Sequence, residues 1–142
     1  MNYRLVDAVP TVEEHGALAI SVGWHDDFHW ESVPASLAGS ICGVVAYDAD
    51  DQPVAMGRVV GDGAFYFYIQ DIAVHPDHQR RGLGRRVVAR LRDQVMRIAG
   101  ADCFVGLFAT PDGQGLYASE GFVAENTVGM WQVLRPGSAQ PS

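Results

Sequence analysis

Lysine is absent from this 142-residue sequence: all ten basic residues are arginine, set against 17 Asp and Glu for a formal net charge of −7. Cysteine is nearly absent, with only Cys42 and Cys103, far apart along the chain. That scarcity excludes a disulfide framework and a cysteine-based zinc site, and fits reduced, packed thiols. Long apolar runs are missing too, since nothing approaches the ~18 uninterrupted apolar residues of a membrane span. The start, MNYRLVDAVP, has one arginine and no apolar stretch of signal-peptide length, so the expectation is a cytoplasmic protein with no membrane partner. There is no internal repeat. What is present is a 48% hydrophobic, 10% aromatic composition, too apolar for disorder and the right length for one compact domain over residues 1–135. The tail PGSAQPS, 136–142, reads as disordered.

The arginines are not spread evenly. Seven of the ten, Arg80, Arg81, Arg85, Arg86, Arg90, Arg92 and Arg97, fall between positions 80 and 97, where the only acidic residue is Asp93. Arg4, Arg58 and Arg135 are all that remain against the other acids. A body this acidic repels a nucleic-acid backbone and attracts cations, so the basic patch suits a small polyanion better than DNA or RNA.

Local patterns set the element order. NYRLVD (2–7) reads as a first strand. Thr11 and Glu14 have capping-box spacing, predicting a helix from Val12 to about Val22 that ends at Gly23. Ser32 as N-cap, with Pro34 near the first helical position, predicts a short second helix closing at Gly39. ICGVVAYD (41–48), PVAMGRVVG (53–61) and FYFYIQDIAV (65–74) read as three antiparallel strands joined by turn-forming DADDQ and Gly61-Asp62-Gly63. From Leu83 the period changes to helical, with Leu83, Val87, Leu91, Val95 and Ile98 on one face and an end near Gly100. CFVGLFA (103–109) reads as a buried strand, Thr110-Pro111-Asp112 opens a short helix through Ser119 that stops at Gly121, and VGMWQVL (128–134) reads as a last strand. The order β-α-α-β-β-β-α-β-α-β, with a crossover helix between two strands, predicts a mixed α/β domain holding a parallel pair beside an antiparallel meander.

The junction HPDHQRRGLGRR (75–86) carries the chemistry. A strand that turns into a helix leaves the first-turn N–H groups unpaired at the positive end of the helix dipole, which is a ready anion site. Gly82 and Gly84 let a phosphate approach the backbone, and Arg80, Arg81 and Arg85 add charge. Alone, the same stretch reads equally as a plain turn followed by a solvated arginine face. No G-x-x-x-x-G-K-[ST] occurs, and Val87 stands where a dinucleotide-binding fingerprint needs its third glycine.

Asp71-Ile72-Ala73-Val74-His75-Pro76 followed by Gln79-Arg80-Arg81-Gly82-Leu83-Gly84 resembles the acyl-CoA signature V-x-P-x-x-[QR]-x-x-G-x-[GA] of the GNAT N-acyltransferase superfamily. Leu116-Tyr117-Ala118-Ser119-Glu120-Gly121-Phe122 resembles that superfamily's L-Y-x-x-x-G-F, and the element order covers nearly the whole chain. The resemblance implies acetyl-CoA as co-substrate, with no metal. Ile72, Ala73 and Val74 would offer backbone groups to the pantetheine arm, while Gln79, Arg80, Arg81, Gly82, Leu83, Gly84 and Arg85 would wrap the pyrophosphate. It further implies that the strands carrying Val74 and Phe104 splay apart to admit the pantetheine. Tyr117 matches the tyrosine that protonates the departing thiolate in many relatives, a role a nearby O–H can fill; the alternative is a core tyrosine on an amphipathic helix. Thr110 stands where many relatives carry an asparagine that contacts pantetheine, and Gly113 replaces a frequent alanine.

A protonated amine must lose a proton before it attacks a thioester. Asp71 is the first candidate for that catalytic base, since it interrupts an aromatic and apolar strand where a carboxylate is costly to bury without a partner; a structural aspartate is the equal alternative. The loop Trp24-His25-Asp26-Asp27-Phe28-His29-Trp30 joins aromatic walls to carboxylates, which suits an organic cation. Trp24, Asp26 and Asp27, with Tyr68 on the strand before Asp71, are the candidate substrate-binding residues. His25 and His29 lack an evident third metal ligand. GRVVGDGAFYFYIQDIAVHP and the late Gly129-Met130-Trp131 resemble small bacterial and plastid-type GNAT proteins that acetylate arylalkylamines or other primary amines. The expectation is therefore acetyl transfer to a small amine by direct attack in a ternary complex. The rivals are a protein or peptide acceptor, a catalytically idle acyl-CoA-binding regulatory module and, last, nucleic-acid binding. Relatives often dimerise, and Trp131 suits an interface as well as a core.

Overall fold

The computed structural model describes residues 2–137; the expected tail from 136 onward lies mostly outside them. Five strands, β1 (Arg4–Val6), β2 (Cys42–Tyr47), β3 (Pro53–Gly61), β4 (Tyr66–Val74) and β5 (Phe104–Gly106), form one sheet in the order β1-β2-β3-β4-β5. The first four pair antiparallel and β4 pairs with β5 in parallel, which is the mixed sheet that the crossover helix requires. Helices α1 (Val12–Ser21) and α2 (Val33–Ala38) precede β2, α3 (Leu83–Ala99) connects β4 to β5, and α4 (Gln114–Ser119) follows β5.

The sheet is covered on both faces. Leu83, Val87, Val88, Leu91 and Val95 of α3 pack with Val44, Val59, Phe67 and Ile69 in the larger core. On the other side, Leu18 and Ala19 of α1 meet Met56 and Ala73, with Trp24, Phe28 and Trp30 beside them. α1 begins on a complete capping box: Glu14 N donates to Thr11 Oγ1 (3.1 Å) and Thr11 N to Glu14 Oε1 (2.9 Å). Both cysteines are free thiols, and burial, aided by Asp7, pushes that of Cys42 up to about 11.

Four expectations need correction. Residues 128–134 form no strand, and Gly129 lies against the ring of Phe108, past the end of β5. β5 is shorter than 103–109, because β4 diverges from it after Gly106, and as the last strand of the sheet it is an edge rather than a buried strand, with Phe104 47% exposed. Ser32 does not cap α2. Its hydroxyl is hydrogen-bonded to His29 Nδ1 (2.7 Å), and a 3-10 turn at Trp30–Ser32 leads directly into the helix. Ile98 is off the buried face of α3, which is completed instead by Gln94, whose Nε2 donates to the carbonyl of Gly43 (2.9 Å).

Candidate active site

Strands β4 and β5 are joined only through Tyr66↔Phe104, Phe67↔Val105 and Tyr68↔Gly106. Beyond that register β4 continues to Val74 without a partner on this side, so the two strands splay. At the far end of the opening lies the N-terminus of α3. Its N-cap is Gly82 (φ 78°), with no side-chain cap and no acidic residue in the first turn, in contrast to the fully capped α1. The first-turn N–H groups are thus left open at the positive end of a 17-residue helix. A Cβ at Gly82 would meet nothing within 4 Å, so the approach is unobstructed, while one at Gly84 would sit 3.6 Å from Leu116 and 3.7 Å from Val74. The helix start, the end of β4 and α4 therefore converge on the splay.

The turn between β4 and α3 is held by its own side chains. Gln79 Nε2 donates to the carbonyl of Val74 (3.1 Å), and Arg80 adopts a left-handed conformation (φ 62°). Arg81 Nη1 donates to Tyr3 Oη (3.1 Å), which is hydrogen-bonded in turn to His78 Nδ1 (2.9 Å), tying the turn to the residues before β1. Arg85 lies 3.3 Å from Glu120, which also pairs with Arg92 (3.0 Å). Part of the predicted basic cradle is thus already countered by a carboxylate. Ile72 and Val74 pack on the larger core and Ala73 is buried on the opposite face.

Tyr117 packs on the core side of α4 with its ring 6.1 Å from that of Phe122. Burial raises the pKa of its hydroxyl above the ordinary tyrosine value. An alanine Cβ at Gly113 would lie 3.2 Å from the Tyr117 ring and 3.5 Å from Thr110 Oγ1, so the glycine leaves that ring room. Thr110 precedes the 3-10 turn Pro111–Gly113 and makes no capping bond with its side chain.

On the other face of the sheet, the β3–β4 register shifts so that Gly57 faces both Asp71 and Ile72. Asp71 occupies this bulge with φ 58°, a conformation aspartate tolerates better than most residues. A Cβ on Gly57 would come within 2.5 Å of Ile72, so the bulge requires glycine opposite it. Asp71 Oδ2 accepts from Arg58 Nε (2.8 Å) and from His15 Nε2 (3.0 Å). Arg58 also donates from Nη1 to Ser36 O (3.0 Å) and Ser40 Oγ (3.1 Å), and from Nη2 to Ser36 Oγ (3.0 Å). Burial works against the charge of Asp71, but the hydrogen bonds and positive charge of His15 and Arg58 hold its carboxyl below the usual range. Since the carboxylate can only accept, His15 Nε2 carries the proton. Nδ1 of this 1%-exposed imidazole is buried with no hydrogen-bond partner.

These groups open into a cavity of about 270 Å³ whose lining includes His15, Asp27, Phe28, Gln70 and Asp71. Of the residues expected to bind substrate, Asp27 lines it. Asp26 is exposed on the 3-10 turn His25–Asp27, Trp24 packs in the smaller core, and Tyr68 stands apart beside Phe104, 6.0 Å between ring centroids. The loop is stapled by Trp30 Nε1 donating to His25 O (2.8 Å). Among the described residues no group of three or more His, Cys, Asp or Glu gathers to hold a metal ion. His15 and Arg58 went unpredicted: one sits within a helix, the other within a strand, and neither belongs to a local motif. The available signal was that a buried Asp71 needs cationic or donor partners, without saying which.

Residues 39–124 match the model of the family described as Acetyltransferase (GNAT) domain. Among curated proteins, the chain is 37% identical over 81 residues to GCN5-related N-acetyltransferase 1, chloroplastic, of Arabidopsis thaliana, covering 57% of this chain and 40% of that protein. It is 37% identical over 75 residues to serotonin N-acetyltransferase 2, chloroplastic, of rice, covering 52% and 36%. The chain thus spans less than half the length of these relatives. Among solved structures, a protein from meticillin-resistant Staphylococcus aureus described as a probable acetyltransferase superposes with a TM-score of 0.83 at 27% identity, over 94% of this chain and 100% of that one. A GNAT family acetyltransferase from Streptococcus pneumoniae superposes with a TM-score of 0.76 at 26% identity, over 94% and 99%.

Proposed function

Since this chain belongs to the GNAT acetyltransferase family, we propose that it is an acetyl-CoA-dependent N-acetyltransferase acting on a small primary amine, by direct attack within a ternary complex. The observation that carries this reading is the splay of β4 from β5 with an uncapped α3 N-terminus at its end. A thin acyl-pantetheine arm fits between diverging strands, and its diphosphate fits unpaired helix N–H groups. In this reading the backbone of Ile72, Ala73 and Val74 meets the arm, and Thr110 lies along it. The N–H groups of Gly82, Leu83 and Gly84 hold the phosphates with help from Gln79, Arg80 and Arg81, while Arg85 contributes after exchanging its contact with Glu120. Acetyl-CoA supplies the activated acyl group.

The residues of the chain then divide the proton work. Tyr117 Oη donates to the sulfur as it departs, and its raised pKa keeps it protonated at neutral pH. Asp71 is the anchor of proton removal from the ammonium. Held low, its carboxyl takes the ammonium proton only through a water relay that passes it on to solvent, while His15 Nε2 and Arg58 Nε fix the carboxylate beside the cavity. The cavity beside that pair supports a small acceptor, since about 270 Å³ lies just under the ~300 Å³ at which small-molecule sites begin. Asp27 and Phe28 offer it charge and an aromatic face. An arylalkylamine, of the kind named for the rice relative, suits that combination, with Asp26, Trp24 and Tyr68 outside the cavity lining. The described residues contain no helix long and apolar enough to cross a membrane, and we place the reaction in the cytoplasm.

Mass spectrometry of products, with acetyl-CoA and a panel of amines, amino acids, aminoglycosides and peptides, tests the proposal. Acetylated small amines with stoichiometric thiol release support it. Acetyl-CoA binding by calorimetry with no acetylated product would replace it by an acyl-CoA-binding regulatory module, and products confined to peptides would move the acceptor to protein termini.

A further inference from the structure

Helix α4 is too short to hold itself in place. It has six residues, none of them fully buried and no side-chain N-cap, and a helix of this length is marginal in water on its own. Its apolar hold on the larger core comes from Leu116 and Tyr117, with Phe122 just beyond the helix. A polar hold comes from Glu120, the residue that ends the helix. The backbone N–H groups of Glu120 and Phe122 both donate to the carbonyl of Tyr117 (3.0 Å each). Whatever fixes Glu120 therefore fixes the turn that carries Tyr117.

The Glu120 side chain is 14% exposed, and a carboxylate drawn that far from water needs cationic partners. It has two, Arg85 and Arg92, which lie two turns apart on α3, about 10.5 Å along the axis. Arg92, in the middle of the helix, is the firm partner. Its Nη1 donates to Glu120 Oε2 (3.0 Å) and also to the Glu120 backbone carbonyl (3.0 Å). Arg85 is the loose one: its Nε lies 3.3 Å from Oε1, and its side chain is 58% exposed against 39% for Arg92. Arg85 is also the third residue of α3, beside the N–H groups that the helix start leaves open. One carboxylate thus joins the Tyr117 turn to the middle of α3 and, more weakly, to its N-terminus.

Resting on the acetyl-CoA reading of the α3 start, we propose that Glu120 is a positioning residue that couples cofactor binding to the placement of Tyr117. Arg92 holds Glu120, and through it the Tyr117 turn, with or without cofactor. Arg85 is shared: it pairs with Glu120 before the diphosphate arrives and turns to the diphosphate afterwards. Its departure does not strand the carboxylate, because Arg92 keeps both of its contacts. α4 therefore stays docked while the thioester is in place. The hand-over also tempers affinity, since binding must first break the Arg85–Glu120 contact and release of the spent cofactor restores it.

A double-mutant cycle tests the hand-over, with acetyl-CoA as the probe in calorimetry. Breaking an exposed ion pair changes an equilibrium constant by about two- to fivefold, so Glu120→Gln should tighten the Kd for acetyl-CoA by that factor. The same substitution made in an Arg85→Gln background should leave Kd where it was, whereas a general field effect of the lost charge would tighten it there too. Arg92→Gln should act in the opposite direction: Kd weakens, because Arg85 becomes the sole partner of a largely buried carboxylate, and kcat falls about tenfold as the Tyr117 turn loosens. Hydrogen exchange of the Glu120 and Phe122 amides, both bonded to the Tyr117 carbonyl, should quicken in Arg92→Gln and not in Arg85→Gln. No tightening in Glu120→Gln, a tightening that persists without Arg85, or amide exchange indifferent to Arg92→Gln overturns the proposal. Acetyl-CoA binding by the unmodified protein with a failed cycle sinks the coupling alone. Absence of that binding sinks the acetyltransferase reading and the coupling with it.

Discussion

Asp71→Asn removes one charge from the Arg58–Asp71–His15 cluster and changes little else. Asparagine tolerates the left-handed backbone at this position (φ 58°), so no steric cost confuses the result. The Arg58 and Asp71 side chains are only 9% and 12% exposed, and removing one member of a buried pair costs about 3–5 kcal/mol. The amide still offers Arg58 Nε an acceptor, and Ser36 and Ser40 still hold its Nη atoms. The lower end, about 3 kcal/mol, is therefore expected at pH 7, or roughly 10 °C in Tm for a domain of this size. The pH dependence has a definite sign. Asp71 titrates below its ordinary value of 3.8 in the folded protein, so its contribution is fully present above the unfolded pKa and is lost as pH falls through the folded one. The gap between the two proteins should stay constant from pH 7 to about 5 and close only below about pH 4. Urea unfolding of both proteins across that range measures it. A loss under 1 kcal/mol at pH 7, or a gap that closes near neutrality, would refute the buried-pair argument.

The other consequences are smaller or concern the reaction. Tyr117→Phe should lower kcat by about 10²-fold, the lower end for loss of a general acid, while the Kd for acetyl-CoA from calorimetry stays within twofold; an unchanged kcat would take Tyr117 out of the mechanism. His15→Gln should lower kcat/KM for the amine while the Kd for acetyl-CoA stays within twofold, a split that a purely structural histidine would not produce. Arg80→Gln should weaken acetyl-CoA binding and flatten its salt dependence without changing the amine KM. Gly57→Ala would place a Cβ 2.5 Å from Ile72, 2.9 Å from Val87 and 3.0 Å from Leu91. An overpacked core of this kind costs about 1–3 kcal/mol, read as a lower urea midpoint at constant m.

The parts of this molecule that were legible in its sequence are those whose cause is local. The Thr11–Glu14 box, the α3 period ending at Gly100, and the turns at Gly61–Gly63 and Gly121 are each decided within a few residues. The glycine turn that opens α3 at an uncapped Gly82 belongs with them, since a helix start is decided by consecutive residues. What the sequence concealed is non-local. The Asp71 bulge depends on Gly57 in the neighbouring strand, and its partners His15 and Arg58 lie 56 and 13 residues away along the chain. VGMWQVL has the propensity of a strand, but propensity supplies no edge to pair with. Ser32 had the right chemistry for an N-cap, yet its hydroxyl was drawn to His29.

In the proposed reading, the cofactor side is backbone at a strand end and a helix start, so its surface side chains are replaceable at little cost to the fold. In the same reading, the acceptor side is made of the atoms that satisfy a buried charge. Arg58 spends Nε and both Nη atoms on Asp71, Ser36 and Ser40, and His15 is held by the same carboxylate oxygen. A substitution that reshapes the cavity through His15, Arg58 or Asp71 must therefore repay lost stability elsewhere, whereas one at Asp27 or Phe28, on the loop, need not. Changes in acceptor preference should accordingly be found first in the loop 24–30, and variants selected for a new amine should leave the Arg58–Asp71 pair in place.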